Sequence, residues 1–265
     1  MAFINPNWYL ALLFSVFLFF LWRRIYTRSV KNRIILRIVG ILFGGFALLF
    51  PLAYISDFIG EMPIYCAFRT LPFCEVGVLF FAPVFALISI VLNKQNTKFK
   101  TIVLLLFCLG FVSIPFIKPV LQPLNIASFR EKWTKDNICL QSTPSTCGPS
   151  CLATIMAFYG KDETEKGISK AVFSSLGGTE NWYLARYAKT QGLNYRFLKV
   201  QDIEEVITPA IIGIKKQSIG HFITIIKVED GLFYVGDPLN GLSIFSKDDF
   251  VSKYNHTGFV LSLWL

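Results

Sequence analysis

Histidine is scarce in this sequence, and the cysteines are not spaced like metal ligands. Only His221 and His256 are present, and the six cysteines include no C-x-x-C pair. Structural zinc sites usually draw their four ligands from such pairs and from histidines. A G-x-x-x-x-G-K-[ST] phosphate loop is also missing, so we expect no ATP-driven transport by these residues. We predict neither a metal site nor a cofactor.

Charged residues are scarce too. They make up 16% of the 265 residues, whereas hydrophobic residues make up 54%; an ordinary soluble chain is about 45–50% apolar. The apolar excess lies in residues 1–117, and the remainder has the mixed composition of a globular domain. We therefore predict a membrane region over residues 1–117, a connector over 118–136 and a globular domain over 137–265.

Four apolar runs without internal charge occupy the first part of the chain. They cover residues 8–22, 38–55, 76–92 and 101–117. About 20 apolar residues in a helix cross the roughly 30 Å of bilayer hydrocarbon, and uncharged neighbours extend the shortest run. Prolines within the runs are compatible with membrane helices. The prediction is an α-helical membrane region with four transmembrane helices.

Basic residues are concentrated in the connectors between these runs. Six lie between the first and second runs and three between the third and fourth, but only Arg69 lies between the second and third. Basic connectors tend to stay cytoplasmic, so we expect the globular domain on the periplasmic side of a bacterial inner membrane. On that side, Cys66 and Cys74 could form a disulfide. The connectors also account for much of the net charge of +9, and no nucleic-acid partner is expected.

The stretch QSTPSTCGPSCLATIMAFYG indicates a helix with a cysteine at its start. Thr146 is predicted to cap this helix, Pro149 suits its first turn and Gly160 ends it. Free N–H groups and the helix dipole stabilise an anion near Cys147, and a thiolate is the nucleophilic form of cysteine. Cys151, one turn further on, is expected to be a packing thiol.

Three more residues complete a candidate site. Gln141 can supply a side-chain N–H to an oxyanion formed beside Cys147. His221 begins the strand-like HFITIIKV, which turns at residues 229–231 and returns as LFYVGDP. If Val228 lies opposite Leu232, Asp237 becomes a diagonal neighbour of His221 on the same face. This pairing suggests a base and the group that orients it, although a one-residue slip in register would break it.

From about Cys139 to Leu265, the sequence resembles the papain-like, bacteriocin-processing peptidases that remove double-glycine leaders. The resemblance rests on Gln141 and on the CGPSCL, GHF and GDP motifs that contain the other three candidate residues. It implies an α+β domain with helices packed on an antiparallel sheet. It also implies Cys147 as the nucleophile, His221 as general base and acid, Asp237 as its orienter and Gln141 as the oxyanion donor.

Together with the predicted membrane helices, the resemblance implies a membrane-anchored cysteine peptidase that cleaves a peptide or protein precursor, including precursors with a Gly-Gly leader. One alternative is a non-catalytic peptide-binding receptor or chaperone; another is an acyl transferase that uses the same residues. The expected partners are the peptide or protein substrate, the lipid bilayer and a separate export system. Gly177 and Gly178 are predicted to form a loop of the domain itself, and not a cleavage site.

Overall fold

The computed structural model describes residues 3–28, 33–54, 56–92, 98–216 and 219–265, without the side chains of Arg33, Asp57 and Ile219. Two compact units are present. The first, which we call the helical unit, comprises Ile4–Asp57 and Phe73–Lys118. The second, which we call the mixed unit, consists chiefly of Phe58–Pro72 and Pro119–Leu265.

The described residues form helices and strands in the following order along the chain. The α-helices are α1 (Asn7–Arg28), α2 (Arg33–Ala47), α3 (Asp57–Gly60), α4 (Pro63–Thr70), α5 (Phe81–Leu92), α6 (Lys98–Leu121), α7 (Cys147–Phe158), α8 (Glu165–Ala171), α9 (Asn181–Thr190) and α10 (Lys247–Lys253). Short 3-10 helices cover Leu52–Tyr54, Cys74–Phe80, Ile126–Ser128 and Ile203–Glu205. The strands are β1 (Lys132–Trp133), β2 (Cys139–Leu140), β3 (Asn194–Lys199), β4 (Ala210–Lys216), β5 (Ile219–Glu229), β6 (Leu232–Asp237), β7 (Gly241–Phe245) and β8 (Asn255–Trp264).

Three helical segments in the described part of the chain are long and apolar enough to cross a membrane. They are α1, the segment Cys74–Leu92 that includes α5, and α6, with 22, 19 and 24 residues. Each contains one of the predicted apolar runs. Apolar helices in the N-terminal region are thus confirmed.

The predicted second span, residues 38–55, is not one continuous helix. Helix α2 has 15 residues and ends at Ala47, so at 1.5 Å per residue it is about 22 Å long. Pro51 explains this end, because its ring clashes with the carbonyl four residues earlier, that of Ala47, and its nitrogen cannot donate a hydrogen bond. The described residues therefore contain three helices of spanning length, whereas the sequence predicted four.

The mixed unit is built on a six-stranded antiparallel sheet with the strand order β3-β8-β4-β5-β6-β7. Strands β1 and β2 form a separate antiparallel pair. Helix α7 packs against β5, and Leu152, Ile155 and Met156 of this helix are fully buried. This arrangement confirms the predicted α+β fold. Cys151 is also fully buried, as expected for a packing thiol.

Residues Phe58–Pro72, which we call the docking segment, lie against α9 and β3 within the mixed unit. The Arg186 side chain of α9 donates hydrogen bonds to three backbone carbonyls at the end of α4: Arg69 O at 2.6 Å, Thr70 O at 3.3 Å and Leu71 O at 3.0 Å. Arg69 is fully buried, and its guanidinium lies 4.4 Å from the centre of the Trp182 ring. Lys199 of β3 pairs with Glu61 at 2.9 Å. Polar and aromatic contacts therefore hold the segment.

The disulfide that the sequence allowed between Cys66 and Cys74 is not formed, and both residues are free thiols. The Cys66 thiol is buried inside the mixed unit and donates to the Gly60 carbonyl at 3.1 Å. Asn181 Nδ2 lies 3.6 Å from the same sulfur. Cys66 is thus part of the packing between the docking segment and α9.

Candidate active site

Cys147 is the first residue of α7, as the sequence predicted, and its side chain is half-buried. Thr146 occupies the capping position, but its side chain does not cap the helix. Instead, Thr146 Oγ1 donates to Thr143 O at 3.0 Å and accepts from Thr143 N at 3.2 Å. The predicted capping role of Thr146 is therefore wrong, because its hydroxyl closes the preceding turn. The Thr146 side chain therefore accepts no hydrogen bond from the first N–H groups of α7.

His221 and Asp237 are in direct contact on neighbouring strands. His221 Nε2 lies 3.0 Å from Asp237 Oδ1, and the two side chains are buried. The same Oδ1 accepts from Leu239 N at 2.9 Å, while Oδ2 accepts from Asn240 Nδ2 at 2.7 Å. The carboxylate is thus held on both oxygens, and it fixes the orientation of the imidazole.

The register of the β5–β6 hairpin differs from the prediction near the turn and agrees with it near the site. Glu229 pairs with Leu232, one position away from the predicted partner Val228. A bulge at Ile226 then shifts the register by one residue, so Thr224 pairs with Gly236. Continued by one step, this register places Asp237 opposite Ile223 and diagonal to His221. The bulge thus restores the predicted neighbours.

The surroundings of His221 favour its protonated form. Burial lowers the pKa of His221, but the hydrogen bond with Asp237 and the nearby Cys147 sulfur outweigh burial and raise the pKa to about 9. Because Nε2 faces Asp237, Nδ1 is the nitrogen that remains for the thiol. Burial also raises the pKa of Asp237, but hydrogen bonds from His221, Leu239 N and Asn240 bring it below its usual value. A histidine beside a cysteine sulfur, held by a carboxylate, is an arrangement that activates a cysteine as a nucleophile.

Gln141 joins the site through the backbone. Its N–H donates to Pro238 O at 2.9 Å, next to Asp237. Its side-chain Nε2 donates to Thr143 O at 2.7 Å, in the loop that leads to Cys147. The second N–H of the amide is not used in the described hydrogen bonds, and none of them joins Gln141 to Cys147. Gln141 therefore lies beside the site, and one N–H of its Nε2 makes no described hydrogen bond.

Cys139 and Cys151 are buried and lack the environment of Cys147. Burial raises the pKa of Cys139 to about 12 and that of Cys151 well above its usual value. Cys139 packs beside α7, where its backbone N–H donates to Thr154 Oγ1 at 3.0 Å. Among these three, only Cys147 is accessible.

Sequence reasoning missed two polar residues at the site. Asn240 holds the second oxygen of Asp237, and the turn-forming pattern Asp-Pro-Leu-Asn was the available signal. Glu165 accepts hydrogen bonds from Ser142, directly after Gln141. No local pattern identifies Glu165, because its partner is 23 residues away.

Comparison with known proteins found one matching family model and relatives of this chain. Residues 135–264 match the model of the Peptidase C39 family. A protein of Pseudomonas fluorescens described as probable functional amyloid protease FapD is 27% identical over 141 residues, which cover 49% of this chain and 62% of that protein. The protein of the same description from Pseudomonas aeruginosa is 25% identical over 157 residues, which cover 56% of this chain and 68% of that protein.

Solved structures with similar domains were also found. The peptidase domain of Streptococcus ComA, a bifunctional ABC transporter, is 22% identical with a TM-score of 0.42, and the match covers 47% of this chain and 95% of that domain. A double-glycine motif protease from an AMS/PCAT transporter, solved with its leader peptide, is 20% identical with a TM-score of 0.42; that match covers 51% of this chain and 91% of the other.

Proposed function

We propose that this chain, whose residues 135–264 form a domain of the Peptidase C39 family, is a membrane-anchored cysteine peptidase that cleaves a peptide or protein precursor. The observation that carries the proposal is the arrangement of Cys147, His221 and Asp237: an accessible thiol at a helix start, an imidazole whose pKa is raised to about 9, and a buried carboxylate. A protein that only binds peptides needs none of these groups. The arrangement favours catalysis over the receptor or chaperone alternative.

The proposed reaction proceeds through a thioester. The Cys147 sulfur attacks the carbonyl carbon of the scissile peptide bond, and the C–N bond breaks as His221 gives its proton to the leaving amine. A water molecule then attacks the thioester, and His221 takes the proton of that water. The carboxylic acid product leaves, and the thiolate–imidazolium pair is restored. Asp237 holds the imidazole in one orientation through both proton transfers.

The oxyanion formed in each attack needs hydrogen-bond donors. The backbone N–H of Cys147, at the start of α7, is one candidate, and the unused N–H of Gln141 Nε2 is the other. Neutralising a developing negative charge at a helix start is favourable because the dipole points its positive end there. These two donors complete the catalytic set that the site supports.

The proposed substrate is a precursor that meets the peptidase near a membrane. The apolar helices α1, α6 and Cys74–Leu92 supply the anchor. The curated relatives are described as probable functional amyloid proteases, so precursors of amyloid-forming proteins are one candidate class. Precursors with a Gly-Gly leader, handled together with a separate export system, are the other class, and they follow from the family resemblance.

We place the mixed unit on the periplasmic side. The docking segment belongs to the same compact unit as Pro119–Leu265, which supports one side of the membrane for both. Its only basic residue, Arg69, is buried against Trp182, whereas the two other connectors carry nine, namely Arg23, Arg24, Arg28, Lys31, Arg33, Arg37, Lys94, Lys98 and Lys100. This placement requires α2 and the turn after it to cross the bilayer. If α2 did not cross, the six basic residues of the connector before it would lie on the same side of the membrane as the docking segment.

A proteome-derived peptide library tests the activity directly. We expect the purified full chain in detergent to cleave a consistent set of peptides, and the Cys147→Ala and His221→Ala proteins to cleave none. Cleavage by the Cys147→Ala protein at the wild-type rate would refute the proposal. The acyl-transfer alternative is separated by the product masses: hydrolysis gives a free carboxylate, whereas transfer to added glycinamide gives an amide.

A further inference from the structure

Glu165 is a buried carboxylate that the proposed reaction does not use. It is the first residue of α8 and is 1% exposed. Its Oε1 accepts from Ser142 N at 2.7 Å, and its Oε2 accepts from Ser142 Oγ at 2.5 Å. Both oxygens therefore hold one residue, and that residue directly follows Gln141.

Burial of a carboxylate is unfavourable unless a cation or several hydrogen bonds compensate. Among the residues that the structure describes, no lysine, arginine or histidine forms an ion pair with Glu165. In this part of the chain, the compensation comes from the two hydrogen bonds that Ser142 donates to the two oxygens of Glu165. Packing alone does not require a buried carboxylate at this position.

These contacts fix Gln141 from its C-terminal side. From the other side, the Gln141 N–H donates to Pro238 O, next to Asp237. The backbone of Gln141 is therefore held between the loop of the orienting carboxylate and the Ser142–Glu165 contact. A displacement of about 1 Å in a catalytic group can lower a rate about 100-fold, so the position of the spare amide donor matters.

We infer that Glu165 is a positioning residue that holds Gln141 in place to stabilise the oxyanion. This inference rests on the proposed function. Glu165 acts through Ser142 and Gln141 and does not touch the substrate. Its loss should therefore reduce kcat, which depends on stabilising the transition state, and should leave KM nearly unchanged.

Two substitutions separate the hydrogen bonds from the charge. A glutamine at position 165 can still accept from Ser142 N, while its amide donates to Ser142 Oγ. The Ser142 hydroxyl can then donate to Arg130 O, which lies 3.1 Å away. Glu165→Gln thus preserves the positioning contacts, whereas Glu165→Ala removes them. Ser142→Ala removes only the hydroxyl contact and keeps the backbone one.

A double-mutant cycle tests the inference on full-length protein with a peptide taken from the library experiment. We expect Glu165→Ala to lower kcat about 10- to 100-fold with KM within about twofold, and Glu165→Gln to stay within about threefold of wild type. In a Gln141→Ala background, Glu165→Ala should cause almost no further loss, because the donor it positions is already gone.

Equal losses from Glu165→Ala in both backgrounds would overturn the inference, as would a lower melting temperature with unchanged kcat per folded molecule. If Glu165→Ala does not fold, the same cycle with Ser142→Ala decides the matter, with a loss of about two- to fivefold expected only when Gln141 is present. Failure of the proposed function has a different signature, namely wild-type cleavage in the Cys147→Ala protein.

Discussion

His221 Nε2 lies 3.0 Å from Asp237 Oδ1, and a one-residue bulge in the β5–β6 hairpin makes this contact. The two-residue turn at Asp230 and Gly231 has positive φ at both positions, 51° and 74°, which is typical of a type I′ hairpin turn. That turn sets Glu229 opposite Leu232. If Ile226 paired regularly with Val235 and did not form a bulge, Thr224 would lie opposite Asp237, and the side chains of His221 and Asp237 would face opposite sides of the sheet.

The register of the β5–β6 hairpin should be required for cleavage. Inserting one alanine between Thr224 and Ile225 moves Thr224 opposite Asp237, so His221 and Asp237 no longer share a face. Deletion of Ile226 is the matched control, because it removes the bulge but leaves Ile225 paired with Val235 and His221 diagonal to Asp237. We expect the insertion to abolish cleavage, the deletion to retain it within a few fold, and both proteins to show wild-type sheet content by circular dichroism. Cleavage by the insertion protein at the deletion protein's rate would show that the register does not set the contact.

The alkaline limit of activity should report the titration of His221. The active form pairs a thiolate with a protonated imidazole, and the pKa of His221 is raised to about 9. We therefore expect kcat/KM to fall as the pH rises through about 9. Asp237→Asn removes a hydrogen-bonded negative charge that raises this pKa, so the alkaline limb should move to lower pH. An unchanged limb in the Asp237→Asn protein would contradict the role of this pair.

Loss of the Arg186 side chain should release the docking segment. It donates to three carbonyls of that segment, and hydrogen bonds from charged groups contribute about 1.5–3 kcal/mol each before solvent exposure is considered. For this half-buried residue, we expect Arg186→Ala to cost about 1–2 kcal/mol in total and to lower the melting temperature by about 2–6 °C. Arg196→Ala on β3 is the matched control, because Arg196 is exposed. Equal shifts in the two proteins would mean that the segment is held by other contacts.

The candidate site residues were more predictable from the sequence than the strand register and the bulge that bring them together. Cys147 at a helix start follows from local signals, Pro149 and Gly160, that act within one helix. The pairing of His221 with Asp237 was predicted through an incorrect turn register, which the bulge at Ile226 corrects. Bulges have no strong sequence signature when the extra residue is an ordinary isoleucine.

Features that depend on distant contacts were not predictable from local patterns. The docking segment packs on α9 more than 100 residues away, and its anchors are backbone carbonyls, which every sequence supplies. The same packing explains why Cys66 is a buried thiol and not half of a disulfide. The end of α2 was predictable in principle, because Pro51 lies four residues after Ala47.

A pair of reporter fusions after Leu265 tests the proposed side of the membrane. A periplasmic mixed unit predicts an active alkaline phosphatase fusion and a dark green fluorescent protein fusion. The same reporters fused after Ala47 provide the internal check, because α2 must cross for the placement to hold. A bright fluorescent fusion and an inactive phosphatase fusion at Leu265 would place the peptidase domain in the cytoplasm.

The most direct test of the account is a comparison of protein N-termini in cells that carry the wild-type or the Cys147→Ala protein at equal levels. Cys147→Ala removes the proposed nucleophile, and it should preserve the fold because the side chain is only half-buried at the helix start. The account predicts that one or a few precursors are processed at fixed positions in wild-type cells and remain uncut in the variant, with processing restored by a wild-type copy. Identical N-termini in the two strains, with both proteins folded and present, would contradict it.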